Sequence, residues 1–404
     1  MRELDCDVVV VGGGPGGLSA AEVLATGGLS TIVLEKSHAI GVPVRTSGGT
    51  WVPEMRALGI PPTLYHPVHR IRLLTTRTEA VFELVEPLAC VLDVRGLYQH
   101  LAARSITAGA CIRLGWRVEA PVVRDGRCTG VIARSRRTGP VMLTARAVVD
   151  AAGHASRLGE ALGLPSVRSE LGYGVEDDLV APAFDQDEVM LLVGDDVAPG
   201  GYAWAFPHGG QRVRVGLGVP RPPTAVDPRD HLDRLPALVP RLGASLAGAA
   251  PVEVHQGLVP LARPGLPLVA DGLVRVGDAA GQTSAIAGEG IRFAMHAGRL
   301  AGEAIVPALR AGDASASALA AYERRWDRRF GRDLRMAYRI HQRLLHRRGD
   351  AWDDVVNLLA RLGPEHASRL LMNDFSVGWY VGALSRSPGA LPRALRFITR
   401  VPSA

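Results

Sequence analysis

A glycine-rich turn close to the amino terminus constrains the fold of this chain more than any other feature of its sequence. Residues 7–11 read Asp-Val-Val-Val-Val, which is typical of a strand buried on both faces within a parallel sheet. Gly12, Gly14 and Gly17 follow at GxGxxG spacing. Such glycines allow a tight turn and let the backbone approach a pyrophosphate, whose negative charge is favoured at the N-terminus of the next helix.

The elements after this turn complete a βαβ unit. A helix is expected from Gly17 to about Ala25, and a strand over 31–35 ends on Glu35. A carboxylate at this strand end, 18 residues after Gly17, is placed to bind the hydroxyls of an adenosine ribose. The motif therefore predicts a bound dinucleotide, but it does not by itself distinguish NAD from FAD.

A second motif distinguishes the two cofactors. Residues 272–281 read Gly-Leu-Val-Arg-Val-Gly-Asp-Ala-Ala-Gly, which predicts a short strand, a turn and the start of a helix. The segment resembles an element of glutathione-reductase-like FAD enzymes, in which the aspartate binds the ribityl chain and the helix N-terminus faces the isoalloxazine. The resemblance implies that Asp278 binds the ribityl chain and that Gly288, Gly290 and Ile291 line the ring. The alternative for Asp278 is a helix N-cap without a ligand.

Further residues are candidates for the cofactor site. Arg95 begins a helix expected over 93–110 and matches a position that contacts the FAD pyrophosphate in such enzymes; a surface salt bridge is the alternative. The residues predicted to contact FAD are Gly12, Gly14, Pro15, Gly17, Glu35, Lys36, Arg45, Thr46, Arg95, Val118, Asp278, Gly281, Gly288, Gly290 and Ile291. The sequence shows no second nucleotide-binding fingerprint, so transiently bound NAD(P)H or a ferredoxin is expected to donate the electrons.

The segment 202–218 carries the most specific signature in the chain. An aromatic strand and a pair of glycines are formed by Tyr202, Trp204, Phe206, Pro207, Gly216 and Gly218. This segment closely resembles the YxWxFP…GxG signature of the geranylgeranyl reductase family, whose members are FAD-dependent oxidoreductases of the p-hydroxybenzoate hydroxylase type of fold. Residues 277–303 are similar to the family over their whole length, and the resemblance extends over residues 1–340.

The aromatic residues also have a direct physical interpretation. Tyr202, Trp204 and Phe206 alternate along a strand and so project to one face. There they would form an apolar wall that suits an isoprenoid and stabilises developing positive charge; packing in the core is the alternative. Gly216 and Gly218 predict a close approach of the backbone to flavin or substrate. The predicted substrate-binding residues are Tyr202, Trp204, Phe206, Pro207 and Gly216.

The family resemblance implies the reduction of carbon–carbon double bonds in an isoprenoid or related lipophilic substrate. Reduced FAD would deliver hydride from N5 to one carbon, and a protein group or water would protonate the other. Tyr202 is the candidate proton donor, although its hydroxyl could equally make a structural hydrogen bond. Thr46 stands where many family members have a cysteine, so this chain works without that thiol, and a substrate other than a prenyl lipid stays open.

Other functions share the same fold. An FAD-dependent monooxygenase acting on a hydrophobic or aromatic secondary metabolite is the main alternative. A flavin halogenase requires an active-site lysine, whereas Lys36, the only lysine, follows the ribose-binding Glu35. A non-catalytic flavoprotein is hard to reconcile with an aromatic pocket motif.

The pattern along the chain predicts an α/β fold with a discontinuous FAD-binding domain. A Rossmann-like, glutathione-reductase-like domain is expected at 1–65, 93–170 and 255–330, and an inserted antiparallel substrate domain at 66–92 and 171–254. A helical region is expected at 331–404. Within it and just before it, near-helical apolar spacing and ten arginines between Arg324 and Arg348 predict an amphipathic helix.

Composition limits the remaining possibilities. The chain is 47% hydrophobic and 21% charged, as in ordinary globular enzymes, and its four scattered cysteines predict neither disulfides nor a metal site. No signal peptide or spanning segment is visible, so a cytoplasmic protein is expected. The positive side chains behind the net charge of +6 are almost all arginine, which is typical of a high-GC genome; the alternative is an anionic partner such as phosphate, pyrophosphate or a membrane surface. No nucleic-acid partner is expected, and peripheral membrane contact is expected, if anywhere, through the arginine-rich helix. The sequence does not indicate the oligomeric state.

Overall fold

The computed structural model describes residues 3–136, 139–222 and 224–376. Its strands are β1 Glu3–Val11, β2 Thr31–Glu35, β3 Gly49–Trp51, β4 Tyr65–Val68, β5 Arg70–Leu74, β6 Glu79–Glu83, β7 Ala89–Leu92, β8 Cys111–Leu114, β9 Trp116–Arg124, β10 Arg127–Ser135, β11 Val141–Asp150, β12 Leu171–Val180, β13 Glu188–Leu192, β14 Tyr202–Gly209, β15 Arg212–Arg221, β16 Ala250–Pro260, β17 Val269–Ala270 and β18 Leu273–Arg275. Its helices are α1 Pro15–Thr26, α2 Val52–Ala57, α3 Val94–Thr107, α4 Pro228–Leu238, α5 Pro240–Ser245, α6 Ile291–Arg310, α7 Ala316–Trp326, α8 Arg332–Leu344 and α9 Ala351–Leu371.

The glycine-rich turn follows β1, an inner strand of an eight-stranded sheet. The order is β17-β18-β11-β1-β2-β8, and β10 and β9 continue from β11 as antiparallel strands. β1 is parallel to both β2 and β11, and Val8, Val9 and Val10 are completely buried, as the run of valines predicts. α1 lies against α6 so closely that a Cβ at Gly298 would be 2.1 Å from the Gly16 carbonyl oxygen. Because β1, β2 and β11 are parallel, their carboxyl ends lie at one edge of the sheet, and Gly12 follows β1 at this edge.

The helix after the second motif begins later than the sequence suggests. The helix was expected to begin directly after Gly281, but a short 3-10 turn over Gly277–Ala280 and a loop come first, and α6 starts only at Ile291. Gly277, Gly281 and Gly288 all have positive φ, at 63°, 67° and 59°, which an α-helix does not accommodate. The first helix differs less, since it begins at Pro15 rather than Gly17.

A seven-stranded sheet forms the second layer of the molecule. Its order is β16-β12-β15-β14-β13-β5-β6, antiparallel except between β13 and β5. The segment expected at 66–92 is divided between two sheets. Strands β5 and β6 join the seven-stranded sheet, whereas β4 and β7 belong to a three-stranded sheet with the order β3-β7-β4. The expected boundary after residue 254 falls inside β16, which pairs with β12 as far as Pro260. β16 therefore carries the second sheet further into the predicted FAD domain.

The arginine-rich segment folds as α7, a π-helical turn over Asp327–Gly331, and α8. Its apolar side packs on the protein itself: Trp326 is buried, and its ring lies 6.4 Å from that of Phe293. Many of its arginines are exposed, so peripheral membrane contact through this surface stays a prediction. Among the described helices none is long and apolar enough to cross a bilayer. Of the helical region expected at 331–404, residues 377–404 lie outside the described part.

Candidate active site

A groove runs along the carboxyl ends of β1, β2 and β11 and begins at the glycine-rich turn. Gly12 adopts a φ of +107°, and a Cβ there would lie 2.2 Å from the Ala151 carbonyl oxygen. Only glycine is compatible with that geometry. A Cβ at Gly14 would meet nothing within 4 Å, so the backbone at this position is open to the groove. The turn thus offers bare backbone at the N-terminus of α1, which is the environment that a pyrophosphate needs.

Glu35 holds this turn in place. One of its carboxylate oxygens accepts a hydrogen bond from the Gly13 amide at 2.8 Å, and the other accepts one from the Ser37 amide at 2.7 Å. A carboxylate has about four acceptor positions, so each oxygen retains capacity for a further donor. Glu35 also lines the groove, where ribose hydroxyls would be such donors.

Asp278 is a second carboxylate in the groove wall. Its side chain makes no hydrogen bond or ion pair with any residue of the described ranges 3–136, 139–222 and 224–376. Burial raises the pKa of Asp278 from 3.8 to about 6. The residue is only partly buried, so its carboxylate remains open to hydrogen-bond donors in the groove. Hydroxyl donors of a ribityl chain would satisfy it, and the donor set of the groove therefore fits FAD.

Most residues predicted to contact the cofactor come together in this groove. Its wall includes Gly12, Gly14, Pro15, Glu35, Lys36, Arg45, Thr46, Val118, Asp278, Gly288, Gly290 and Ile291. Contact of these residues with FAD itself stays a prediction.

Three predicted residues lie elsewhere. Gly17 packs beneath the turn, where a Cβ would be 2.1 Å from the Gly12 carbonyl oxygen, and Gly281 packs near Ala262. The Arg95 guanidinium lies 3.6 Å from the Glu253 carboxylate. This salt bridge is the alternative to a pyrophosphate contact.

The second cavity is apolar and lies between the seven-stranded sheet and the C-terminal helices. Its walls carry Ile71, Leu73, Val189 and Leu191 from the sheet, and α9 contributes Leu359 and other apolar side chains. Arg45 is the only arginine or lysine among the described residues that line it, whereas Lys36 lies in the groove. Cys90 is a wall residue, and burial raises the pKa of its thiol, so that it stays protonated.

The groove and the apolar cavity meet. Seven residues line both of them: Arg45, Thr46, Gly257, Val259, Gly288, Gly290 and Ile291. A Cβ at Gly257 would lie 2.6 Å from the Arg45 carbonyl oxygen, so a glycine in β16 allows the loop that carries Thr46 to approach the strand. Gly257 and Val259 were not predicted as site residues, because they follow the expected domain boundary and carry no motif.

The aromatic side chains of β14 form one wall of the cavity. The ring centroids of Tyr202 and Trp204 are 5.6 Å apart, and those of Trp204 and Phe206 are 6.2 Å apart. All three side chains line the cavity, as the alternation along the strand predicts. Pro207 does not line the cavity, because consecutive residues of a strand point to opposite faces of the sheet.

The paired glycines of the signature have a different partner from the expected one. A Cβ at Gly216 would lie 2.6 Å from Cζ2 of Trp204, and Cβ atoms at Gly218 and Gly174 would lie 3.7 and 3.6 Å from the same ring. The indole therefore lies over β15 and β12 on these three glycines, which we call the glycine floor. Gly216 was expected to face flavin or substrate, but the Trp204 ring covers it. The prediction that Gly216 binds substrate is corrected accordingly.

The Tyr202 hydroxyl also has a partner within the protein. It donates a hydrogen bond to the Ala287 carbonyl oxygen at 2.5 Å, in the loop before α6. Burial raises the pKa of Tyr202, and the Glu289 and Glu176 carboxylates raise it further. The structure therefore places Tyr202 in the cavity wall, but its proton is engaged by the backbone, as in the alternative of a structural hydrogen bond.

Several buried polar groups in the cavity escaped the sequence reasoning. Glu176 on β12 accepts a hydrogen bond from the Trp204 indole at 2.7 Å, and His255 on β16 lies 2.8 Å from the same carboxylate. Glu289, beside the junction, accepts a hydrogen bond from Thr50 at 2.7 Å. No local motif marks these residues, because they come together only through the pairing of distant strands.

The groove, the glycine turn and Asp278, whose carboxylate faces the groove, define an FAD-dependent oxidoreductase. Residues 7–169 match the family model described as FAD dependent oxidoreductase, and residues 173–243 match that of the geranylgeranyl reductase catalytic domain. The chain belongs to the geranylgeranyl reductase family. It is 34% identical to digeranylgeranylglycerophospholipid reductase 1 of Methanopyrus kandleri, over 81% of this chain and 87% of that protein. It is 31% identical to reductase 2 of that organism, over 97% and 99%.

Solved structures agree with this assignment. A geranylgeranyl bacteriochlorophyll reductase-like protein from Thermoplasma acidophilum superimposes with a TM-score of 0.85, at 26% identity over 98% of this chain and 100% of the other. The flavin-dependent brominase Bmp2, in a triple mutant, gives a TM-score of 0.74 at 15% identity over 97% and 100%, which shows a shared fold only. The family resemblance, the fold class and the dependence on FAD are thereby confirmed.

Proposed function

We propose that this enzyme reduces isolated carbon–carbon double bonds in the isoprenoid chains of a lipid. The observation that carries the proposal is the junction: an apolar cavity with an aromatic wall opens directly onto the FAD groove. An isoprenoid chain is apolar along its whole length, and burial of each CH₂ group contributes about 0.8 kcal/mol. The names of the relatives, digeranylgeranylglycerophospholipid reductases, support the same class of substrate.

The cavity favours the tail of such a lipid over its head group. Its described lining has no lysine and only one arginine, Arg45, which lies at the junction. A phosphate buried away from that residue would remain an unpaired charge, which is strongly unfavourable. We therefore infer that the isoprenoid chain enters the cavity while a phosphate-bearing head group stays at the junction or in solvent.

The residues of the chain divide the work of the reaction. FAD, once reduced and bound, supplies the hydride equivalent. The glycine turn and Asp278 hold the cofactor, and the junction residues Gly257, Gly288 and Gly290 allow a double bond to approach the flavin closely because they lack side chains. The aromatic wall stabilises positive charge that develops on the alkene, since the faces of its rings are electron-rich.

An anaerobic turnover tests the proposal. Enzyme reduced with dithionite is mixed with a geranylgeranyl-bearing phospholipid, and the mass of the extracted lipid is measured by mass spectrometry. We expect a gain of two hydrogens for each double bond reduced, and no gain with oxidised enzyme. A product that instead gains one oxygen in air, and nothing without air, would show a monooxygenase. Repeating the turnover with NADPH or reduced ferredoxin in place of dithionite tests each predicted electron donor.

A further inference from the structure

Three side chains connect the interior of the apolar cavity to the protein surface. Nδ1 of His255 lies 2.8 Å from the Glu176 carboxylate, and Nε2 of His255 lies 3.0 Å from the Glu253 carboxylate. We call this group the Glu176–His255–Glu253 triad. Glu176 and His255 belong to the neighbouring strands β12 and β16, which place them directly opposite each other. The contact is therefore fixed by backbone pairing as well as by the side chains.

The two ends of the triad lie in different environments. Glu176 is 3% exposed and His255 is 5% exposed, and both line the apolar cavity. The Glu253 side chain is 42% exposed and lies 3.6 Å from Arg95. A proton that binds Glu253 from solvent therefore has an unbroken path of hydrogen bonds to the cavity.

The geometry requires the triad to hold an additional proton. A neutral imidazole donates from only one nitrogen, but both nitrogens of His255 face a carboxylate oxygen at hydrogen-bond distance. Both contacts are satisfied only if the imidazole carries two protons or if one carboxylate carries one. The second oxygen of Glu176 already accepts a hydrogen bond from the Trp204 indole. The triad is thus a store of one transferable proton inside an apolar cavity.

The charged groups around His255 act in opposite directions. Burial lowers the pKa of His255, but its hydrogen bonds with Glu176 on β12 and Glu253 on its own strand raise the pKa above the usual value of 6.5. Arg214 on β15 lowers that pKa, and Arg95 on α3 acts on the triad through Glu253. The net effect keeps the imidazole protonated further into the neutral range than a free histidine.

The triad also has a favourable position relative to the flavin. His255, Gly257 and Val259 alternate on one face of β16, and the last two line both the cavity and the groove. Two residues along a strand span about 6.6 Å. His255 therefore lies one side-chain step from the junction at which an alkene and the flavin would meet.

We propose that Glu176, supplied with protons through His255 and Glu253, is the acid that protonates the alkene. This inference rests on the proposed function. In the step, the π bond breaks, a new C–H bond forms with the proton of Glu176, and hydride from reduced FAD forms a C–H bond at the other carbon. FAD is oxidised by two electrons and the alkene is reduced by two. Glu176 takes this proton from the doubly protonated His255, and His255, left neutral, regains one from solvent through Glu253.

Tyr202 is less suited to this role. Its hydroxyl proton is donated to the Ala287 carbonyl oxygen, and burial raises its pKa. A group that loses its proton to the alkene must also recover one, and the hydrogen bonds of Tyr202 lead to a backbone carbonyl that has no proton to give. The triad has a route to solvent, whereas Tyr202 has none among its hydrogen bonds.

The first experiment removes the acid without changing its shape. Glu176→Gln is reduced anaerobically and mixed with the geranylgeranyl-bearing phospholipid, and flavin reoxidation is followed in a single turnover. We expect the rate to fall at least about 100-fold, the scale of general acid catalysis. The matched control is Asp177→Asn, the next residue of β12, which points to the opposite face and pairs with Arg229. We expect this control to react like the wild type.

The second experiment uses a surface residue, so that folding is not at issue. In Glu253→Gln the imidazole loses one of the carboxylates that hold its proton, so the alkaline limb of the pH–rate profile is expected to move to lower pH. A merely structural role of Glu253 would leave that limb where it is. Bound-FAD absorbance and thermal unfolding, measured for every variant, show whether Glu176→Gln retains the native structure.

The outcomes separate the two proposals. Rapid alkene reduction by Glu176→Gln, or an unmoved alkaline limb in Glu253→Gln, would overturn the triad as the proton source while leaving the proposed function intact. A wild-type enzyme that binds the lipid but leaves its double bonds unsaturated would overturn the proposed function, and the inference with it.

Discussion

The FAD groove and the apolar cavity share a wall but are built by different means. The groove is made of backbone: Gly12 packs against the Ala151 carbonyl group, Gly14 is open to the groove, and the key residues follow one another within short turns. The cavity is made of side chains that project from strands far apart in the sequence, such as Ile71 on β5 and Trp204 on β14. The groove that fits the cofactor is thus formed by local geometry, and the proposed substrate cavity by tertiary assembly.

The variant expected to separate the cavity from the groove most strongly, with loss of alkene reduction but not of FAD binding, lies at the glycine floor. In Gly216→Ala the new Cβ would lie 2.5 Å from the Val175 carbonyl oxygen and 2.6 Å from the Trp204 ring, so both the β12 backbone and the indole must move. We expect alkene reduction to fall about 100-fold, the cost of a displacement of about 1 Å at a reacting site. FAD binding, read from flavin absorbance, is expected to persist.

Gly218→Ala is the matched control for that variant. Its Cβ would lie 3.7 Å from the Trp204 ring, an ordinary contact distance, so most of the activity is expected to remain. If both alanine variants lost activity equally, displacement of the indole would not be the cause. If Gly216→Ala lost FAD instead, the apolar cavity could not be changed independently of the FAD groove.

An intermediate effect is expected in the groove. Asp278→Asn replaces charge-assisted hydrogen bonds to the ribityl hydroxyls with neutral ones, which are roughly half as strong. We expect the Kd for FAD, measured by fluorescence quenching, to rise about 10- to 100-fold, while reduction by fully FAD-saturated enzyme changes far less. An unchanged Kd would show that Asp278 does not contact the cofactor.

The same substitution has a pH signature in the FAD-free protein. The folded pKa of Asp278 is raised from 3.8 to about 6, so the folded state binds more protons than the unfolded state between these values. The free energy of unfolding of the wild type, relative to Asp278→Asn, should therefore fall as the pH rises from about 4 to about 6 and stay level above. Urea denaturation over this range measures the difference, and a flat difference would contradict the raised pKa.

The smallest effect is expected at Tyr202. Tyr202→Phe removes one hydrogen bond to Ala287, for which about 0.5–1.5 kcal/mol is typical, so the single-turnover rate is expected to fall only about two- to tenfold. Tyr338→Phe, whose hydroxyl binds Glu170 outside the cavity, controls for loss of a tyrosine hydroxyl. A loss of 100-fold or more in Tyr202→Phe alone would restore Tyr202 as the proton donor.

The two regions also differ in how far the sequence predicts them. The glycine turn, Glu35 and Asp278 could be predicted because each belongs to a short motif whose function follows from adjacent backbone geometry. The aromatic wall could be predicted from alternation along one strand. In each case the structure brings the residues together as the local pattern suggests.

The remaining features depend on strand order and register, which the sequence pattern does not contain. Glu176 meets His255 only because β12 and β16 are neighbours, although they are 79 residues apart at this contact. The role of Gly216 was mistaken for the same reason, since the residue that covers it comes from the adjacent strand β14. The expected boundary at 254 falls inside β16. No turn signal in the sequence shows that this strand continues from the apolar cavity to the FAD groove.

The glycine floor has a consequence for the range of substrates. Trp204 rests on bare backbone of two strands, so the depth of the cavity at this point is determined by one side chain alone. A smaller residue at this position would widen the cavity and leave the pairing of β12, β14 and β15 in place, but Glu176 would lose the hydrogen bond that it accepts from the indole. A single position thus offers relatives of this enzyme, natural or engineered, a way to accept bulkier chains while the cofactor site stays unchanged.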